Sequence, residues 1–222
     1  MEKYLIVIPA KNEEKTISDV IKGLLNEGFK DILVIDDASN DKTAEKASLL
    51  GVKTISLPFP MGTWGAISTG FLYASKYNYD IVVTMDADGQ HLPKEVKKLI
   101  DCIKKNNSDL CIGTFPQRYG IIKTNVIKFL KLISGLNYED ILSGFRAYRK
   151  SLFSLLMDKS FLTIDYQDIG ILLIAKQNKM KISEVEVKMN PRLYGKSRVY
   201  SNIFQIVRYI LFSILWSIFK RW

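Results

Sequence analysis

The sequence predicts an α/β fold built on a mostly parallel sheet flanked by helices. Short apolar runs rich in Ile and Val alternate with segments of helical period, the pattern of strands covered on both faces. Clusters of polar residues follow several of those runs, at the carboxyl ends of strands where ligands sit in such sheets.

The elements follow in order. Residues 4–8 form an apolar run ended by Pro9, too short for a signal-peptide core and suited to a first strand. A helix over 13–26, a strand over 31–35, a helix over 42–50 and a strand over 53–56 come next. A helix over 65–76, a strand over 81–85, a helix over 93–105 and a strand over 109–113 complete a βαβαβαβαβ series. After residue 120 the pattern is less regular, with a helix over 121–136, a candidate strand over 144–148, a helix over 166–177 and a strand over 181–187. A basic loop and a terminal helix end the chain. No repeat or low-complexity tract interrupts it, so the expectation is a catalytic domain over 1–200 with a C-terminal amphipathic helix over 201–222.

With 222 residues, 47% of them hydrophobic, the chain can bury a sizeable core, which excludes disorder as the default. A formal charge of +9 favours anionic partners: nucleotides, lipid phosphates, anionic membranes or nucleic acid. The cations surround a candidate metal-binding edge and belong to no recognisable nucleic-acid module, so no nucleic-acid partner is expected. Cys102 and Cys111 have neither CxxC spacing nor a histidine cluster, and are read as reduced core residues of a cytosolic protein.

The sharpest chemical signal is Asp86-Ala87-Asp88, two carboxylates at a strand end, followed by Gln90 as a third oxygen donor and His91. Oxygen ligands of this kind suit Mg²⁺ or Mn²⁺ and hence a diphosphate, although Asp and Gly also make ordinary turns. Asp36-Asp37 can cap the next helix, shared with Ser39, Asn40 or Asp41, or can bond a ribose or a base edge. Asn12, Glu13 and Glu14 are open to the same two readings. Arg118, Arg146, Arg192, Lys196 and Arg198 are candidate phosphate cations, and also ordinary surface cations.

Five stretches taken in order resemble the family 2 glycosyltransferases of GT-A fold. They are Ile8-Pro9-Ala10-Lys11-Asn12-Glu13, the run from Ile35-Asp36-Asp37 to Thr43, Met85-Asp86-Ala87-Asp88-Gly89-Gln90-His91, Ser143-Gly144-Phe145-Arg146 and Arg192-Leu193-Tyr194-Gly195-Lys196-Ser197-Arg198. The likeness is to the dolichyl-phosphate mannose synthase and polyprenyl-phosphate glycosyltransferase branch, over roughly residues 3–198. It implies a GT-A Rossmann-like sheet and an inverting transfer of a hexose from GDP-mannose or UDP-glucose to a polyprenyl or dolichyl phosphate. By this resemblance Pro9, Lys11, Glu13, Ile35 and Asp37 line the nucleotide pocket, and Asp86 and Ala87 contact the ribose or sugar. Asp88 and Gln90 hold Mg²⁺ or Mn²⁺ with the diphosphate, Arg192 and Arg198 clamp phosphate, and Asp86, Asp88 and Arg146 form the catalytic set.

Two departures stand out. The family's Gly-Ser-Arg after the fifth strand is replaced by Gly113-Thr114-Phe115, so Arg118, Lys123 and Lys196 are the cations left for an acceptor phosphate. Lys11 stands where many relatives carry Tyr. A saccharide acceptor would require a carboxylate base, for which Asp165 or Asp168 is available, and a scaffold subunit with a dead site is the alternative from another class. A sugar nucleotidyltransferase would show a Gly-rich loop after the first strand, which this chain lacks.

Residues 203–219 are almost continuously apolar, broken by Gln205, Arg208, Ser213 and Ser217 on one stripe. This predicts an interfacial helix anchored by Trp216 and Trp222, and a peripheral protein on the cytoplasmic face of a membrane. Packing on the catalytic domain or on a second subunit, as in a homo-oligomer, is the alternative, with a short transmembrane anchor behind it.

Overall fold

Tyr4–Ala10 (YLIVIPA) carries an unbroken apolar run because helices cover both of its faces, and it forms the interior strand β1. A computed structural model describes residues 2–157 and 167–191. After β1 come α1 (Ile17–Asn26), β2 (Ile32–Asp36), α2 (Thr43–Leu49), β3 (Lys53–Ser56), α3 (Gly62–Lys76) and β4 (Ile81–Thr84). A 3-10 turn at Pro93–Glu95 opens α4 (Val96–Asn106), followed by β5 (Leu110–Thr114), a second such turn at Pro116–Arg118 and α5 (Ile121–Ser134). Then come β6 (Arg146–Arg149), α6 (Lys150–Leu156), α7 (Gln167–Gln177) and β7 (Ile182–Glu186).

The strands make one sheet in the order β3-β2-β1-β4-β6-β5-β7. β6 pairs antiparallel with both β4 and β5, and the remaining pairings are parallel. The chain steps outward from β1 to β2 and β3, then returns to add β4 on the other side of β1. The order therefore reverses between β1 and β4, and a crevice at the carboxyl ends of strands at such a reversal is the usual ligand position.

Alternation along β1 divides the core into two layers. Leu5 and Val7 join Phe71, Tyr148, Phe153 and Leu172 on the face of α3, α6 and α7, while Ile6 and Ile8 join Ile17, Leu24, Leu99 and Ile103 on the face of α1 and α4. Among the described residues no helix is long and apolar enough to cross a membrane.

Among the described residues the expected elements form with three main differences, while the basic loop and the terminal helix expected over 201–222 lie outside the described residues. α1 starts at Ile17, because the backbone N–H groups of Glu13 and Glu14 bond across to Thr43 Oγ1 and Asp41 Oδ2. The candidate strand at 144–148 forms at Arg146–Arg149 and runs antiparallel. The short helix α6 has no counterpart in the sequence reading.

The reading of Cys102 and Cys111 as reduced thiols is corrected: they form a disulfide across a sequence separation of 9. Asn107 ends α4 in a left-handed conformation and turns the chain into β5, which brings the two Cα atoms to 6.2 Å, within bridging range. The argument from reduced thiols to a cytosolic compartment loses its premise. A loop of this size constrains the unfolded chain by about 2.5 kcal/mol. Urea unfolding with and without reductant is expected to differ by about that amount, and identical midpoints would show that the pair contributes nothing.

Candidate functional site

The loops after β1 and β2 are tied to each other. Asn12 and Ala38 both take positive φ, 50° and 51°, which turns the chain sharply at each strand end. Asn12 N–H donates to Ser39 Oγ at 2.9 Å, and Asn40 N–H donates to Asn12 Oδ1 at 2.8 Å. Lys42 N–H donates to Glu14 Oε2, and Lys46 Nζ donates to the Glu14 carbonyl. Asn12 is thus a cross-link between loops and not the cap of α1, whose N-cap is Thr16. Burial alone would raise the Asp41 carboxyl, but hydrogen bonds from Thr43 Oγ1, Thr43 N–H and Glu14 N–H prevail and hold it below its ordinary range. Thr16 Oγ1 donates to Glu13 Oε2 at 3.3 Å.

Asp36 and Asp37 are both buried, at 4% and 6% exposure, but differ in their bonding. Asp36 Oδ2 accepts the Ser39 N–H at 3.4 Å, and its buried Oδ1 has no hydrogen-bond partner among the described residues. Asp37 accepts the N–H groups of Met61 at 2.6 Å and Gly62 at 3.2 Å, and its Oδ2 lies 3.6 Å from Lys11 Nζ. Asp37 therefore meets the positive end of α3 and not of α2, whose first N–H, that of Thr43, is met by Asp41. Phe59 and Met61 stay exposed beside it as an apolar lip. Ile35 is fully buried and Pro9 partly so.

After β4 the two carboxylates differ in exposure. The Asp86 side chain is 44% exposed, whereas Asp88 is 3% exposed and its Oδ1 accepts the Gln90 N–H at 3.0 Å. With Gly89 at φ +77° this is an Asx-type turn, so the turn reading of Asp-Gly holds for the backbone while Asp86 is left toward solvent. Ala87 is buried. His91 is buried against the turn: Asp86 N–H donates to its Nδ1 at 3.0 Å, and its ring stacks on Phe145. Asn190 N–H donates to the Gln90 carbonyl, which brings the chain to Pro191 beside this turn.

Among the described residues no three His, Cys, Asp or Glu side chains form a metal cluster. The donor set at the end of β4 is nevertheless two carboxylates and an amide oxygen. That set fits a hard divalent ion completed by ligand phosphates, the way Mg²⁺ is commonly held.

Arg146, expected as a phosphate ligand in the catalytic set, is corrected by the structure. It is 1% exposed, with Nη1 donating to the Asp168 carbonyl and Nη2 to the Ile141 carbonyl, both at 3.0 Å. It lies on β6 opposite Thr84, the last residue of β4, and its guanidinium is engaged with backbone carbonyls there. The alternation Phe145-Arg146-Ala147-Tyr148 within a buried strand is the signal that could have shown this. Arg118 lies on the turn after β5 and Lys123 in the first turn of α5, both in the segment where acceptor cations were expected. Asp165, Arg192, Lys196 and Arg198 lie outside the described residues.

Asp140 escaped the sequence reading. It is fully buried, and accepts Tyr119 Oη at 2.6 Å and the Phe115 N–H at 3.4 Å, which organises the segment after β5.

The model of the family described as Glycosyl transferase family 2 matches residues 5–156. A UDP-N-acetylglucosamine–dolichyl-phosphate N-acetylglucosaminyltransferase of Methanococcus voltae is 30% identical over 222 residues, covering 87% of this chain and 88% of that protein. The dolichol-phosphate mannosyltransferase of Pyrococcus furiosus is 30% identical, over 97% of this chain and 64% of its own length. Among solved structures, glucosyl-3-phosphoglycerate synthase from Mycobacterium tuberculosis, in complex with Mn²⁺, UDP-glucose and phosphoglyceric acid, superposes with a TM-score of 0.74. It is 20% identical, and the likeness covers 97% of this chain and 79% of that one, so it establishes the fold. The sheet is the GT-A sheet, the family match spans every strand that builds the crevice, and the chain belongs to glycosyl transferase family 2.

Proposed function

We propose that the protein transfers a hexose from a nucleotide diphosphate sugar to a polyprenyl phosphate at a membrane surface, using a divalent cation. The observation that carries this reading is the pair of acidic positions on one sheet edge. Asp86 and Asp88 end β4, Lys11 and Asp37 follow β1 and β2, and β4 is two strand spacings from β2, about 10 Å. A nucleoside diphosphate laid along that edge meets Lys11 and Asp37 at its nucleoside end and the β4 turn at its diphosphate. The relatives named for transfer to dolichyl and dolichol phosphates support a lipid phosphate acceptor.

In this reaction an acceptor phosphate oxygen attacks the anomeric carbon. The new carbon–oxygen bond forms as the bond to the nucleoside diphosphate breaks, and the leaving group keeps the electron pair. The nucleophile is already ionised at neutral pH, so orientation and charge neutralisation matter more than a general base. Asp86 orients the sugar or ribose, and Asp37 with Lys11 orients the nucleoside. Asp88 and Gln90 would hold Mg²⁺ or Mn²⁺, which would offset charge on the departing diphosphate. Arg118 and Lys123 are the acceptor-side cations nearest in sequence to β5.

A peripheral position on a membrane, on its cytoplasmic face, is part of the proposal. α5 turns Phe129 (48% exposed) and Leu132 (80% exposed) outward beside Lys128, a mixture suited to an anionic interface. Residues 203–219 supply a second apolar stretch.

The test is incubation of the full chain with radiolabelled GDP- and UDP-sugars, polyprenyl phosphate in anionic vesicles, and Mg²⁺ or Mn²⁺. Label in the organic phase, lost with chelator, and co-sedimentation of protein with vesicles are expected. Label confined to the aqueous phase in the presence of phosphorylated acids or saccharides would replace the lipid by a soluble acceptor. The substitution at Phe115 and the phosphoglycerate-using structural relative favour that second reading.

A further inference from the structure

The turn after β4 is held by an imidazole. His91, the chain's one histidine, is 1% exposed. Its Nδ1 accepts the Asp86 N–H at 3.0 Å, and its Nε2 lies 3.7 Å from Asp86 Oδ2. Its ring stacks on Phe145 with centroids 4.6 Å apart and planes 12° from parallel. Its backbone forms an antiparallel bridge with Met189. The ring thus meets Asp86 at both the backbone and the carboxylate, and packing fixes its orientation.

A neutral imidazole that accepts at Nδ1 carries its proton on Nε2, the nitrogen that lies 3.7 Å from Asp86 Oδ2. The stacking partner matters as well. Phe145 follows Gly144, whose carbonyl accepts Thr84 Oγ1 at 2.8 Å, and Ser143 Oγ donates to the Gly113 carbonyl at 2.7 Å. A Cβ at Gly144 would lie 3.7 Å from Asp86 Oδ1 and 3.8 Å from Oδ2. The segment before β6 therefore runs beside the same carboxylate that His91 addresses from the other loop.

We propose that His91 is a positioning residue for Asp86: as the Nε2–H tautomer it fixes the direction in which the Asp86 carboxylate faces the donor. This rests on reading the strand-end crevice as the donor site. Outer groups that orient ligand-contacting side chains typically change activity by about 10- to 100-fold when removed.

Two variants separate positioning from packing. His91→Phe keeps a ring on Phe145 and removes both nitrogens, whereas His91→Gln keeps an amide donor near the position of Nε2 and loses the ring. His91→Phe is expected to lower kcat about 10- to 100-fold, with a smaller change in donor KM, and to melt close to the parent. His91→Gln is expected to melt lower and yet recover most of kcat. Activity that follows stability across the pair, or parental kcat in His91→Phe, would overturn the proposal while leaving the donor site standing. Absence of transfer by the parent with every donor would sink the donor-site reading and this proposal with it. The nitrogen spectrum of the single imidazole gives a readout independent of turnover. An unprotonated Nδ1 with a protonated Nε2 is expected, and the opposite tautomer or an average of the two would refute the clamp.

Discussion

Asp86→Asn is expected to lower kcat/KM for sugar transfer about 100- to 1,000-fold, the range seen when one preorganised charged or hydrogen-bonding group is removed from a reacting centre. The side chain is 44% exposed at the end of β4, so the substitution leaves the core intact and a surface-like effect on melting is expected. Asp88 answers differently. It is buried and accepts the Gln90 N–H, so Asp88→Ala would remove both a cation ligand and the acceptor that shapes the turn. Asp88→Asn keeps an oxygen for Gln90 and is the cleaner test of charge. Loss of transfer in Asp86→Asn with an unchanged melting temperature would place the effect in the chemistry. Parental kcat/KM would remove Asp86 from the site.

Gly70→Ala is expected to destabilise the protein by about 1–3 kcal/mol through overpacking. A Cβ at Gly70 would meet Val7 Cγ1 at 2.5 Å and Cγ2 at 2.9 Å, where α3 presses on β1. Val7 is fully buried in an interior strand and is β-branched, so it has few rotamers to retreat into. Alanine would gain up to about 1 kcal/mol of helix propensity over glycine, which offsets part of the strain without reversing it. Val7→Ala removes the obstructing carbons and leaves a small cavity of its own. The double variant is therefore expected to be less destabilised than the sum of the two singles in urea unfolding. Additive losses would mean that the helix and strand separate freely at this point.

Strands β1, β2 and β4 were legible in the sequence because each is an Ile- and Val-rich run, and the strand-end rule then brought Lys11, Asp37, Asp86 and Asp88 to one edge. What failed was information carried only by tertiary contact. Asp37 caps a helix whose first residues lie 24 and 25 positions further on, so no local pattern announces it. Arg146 resembles a phosphate ligand in a motif, but its strand is inserted antiparallel between β4 and β5, which turns the guanidinium toward backbone carbonyls. Cys102 and Cys111 lack any metal or redox spacing and meet because Asn107 folds α4 back onto β5. His91 was visible as the histidine after Gln90, but its grip on Asp86 is a matter of ring orientation.

Binding of a nucleoside diphosphate across the ends of β1, β2 and β4, with a divalent ion at the β4 turn, is the claim on which the rest depends. Calorimetric titration of UDP and of GDP into the full chain, with Mn²⁺ and then with chelator, tests it most directly. One of the two is expected to bind saturably, at least about tenfold more tightly with the cation, and to lose that gain in Asp88→Asn. Equal affinity with and without cation, or no binding of either nucleotide, would contradict it.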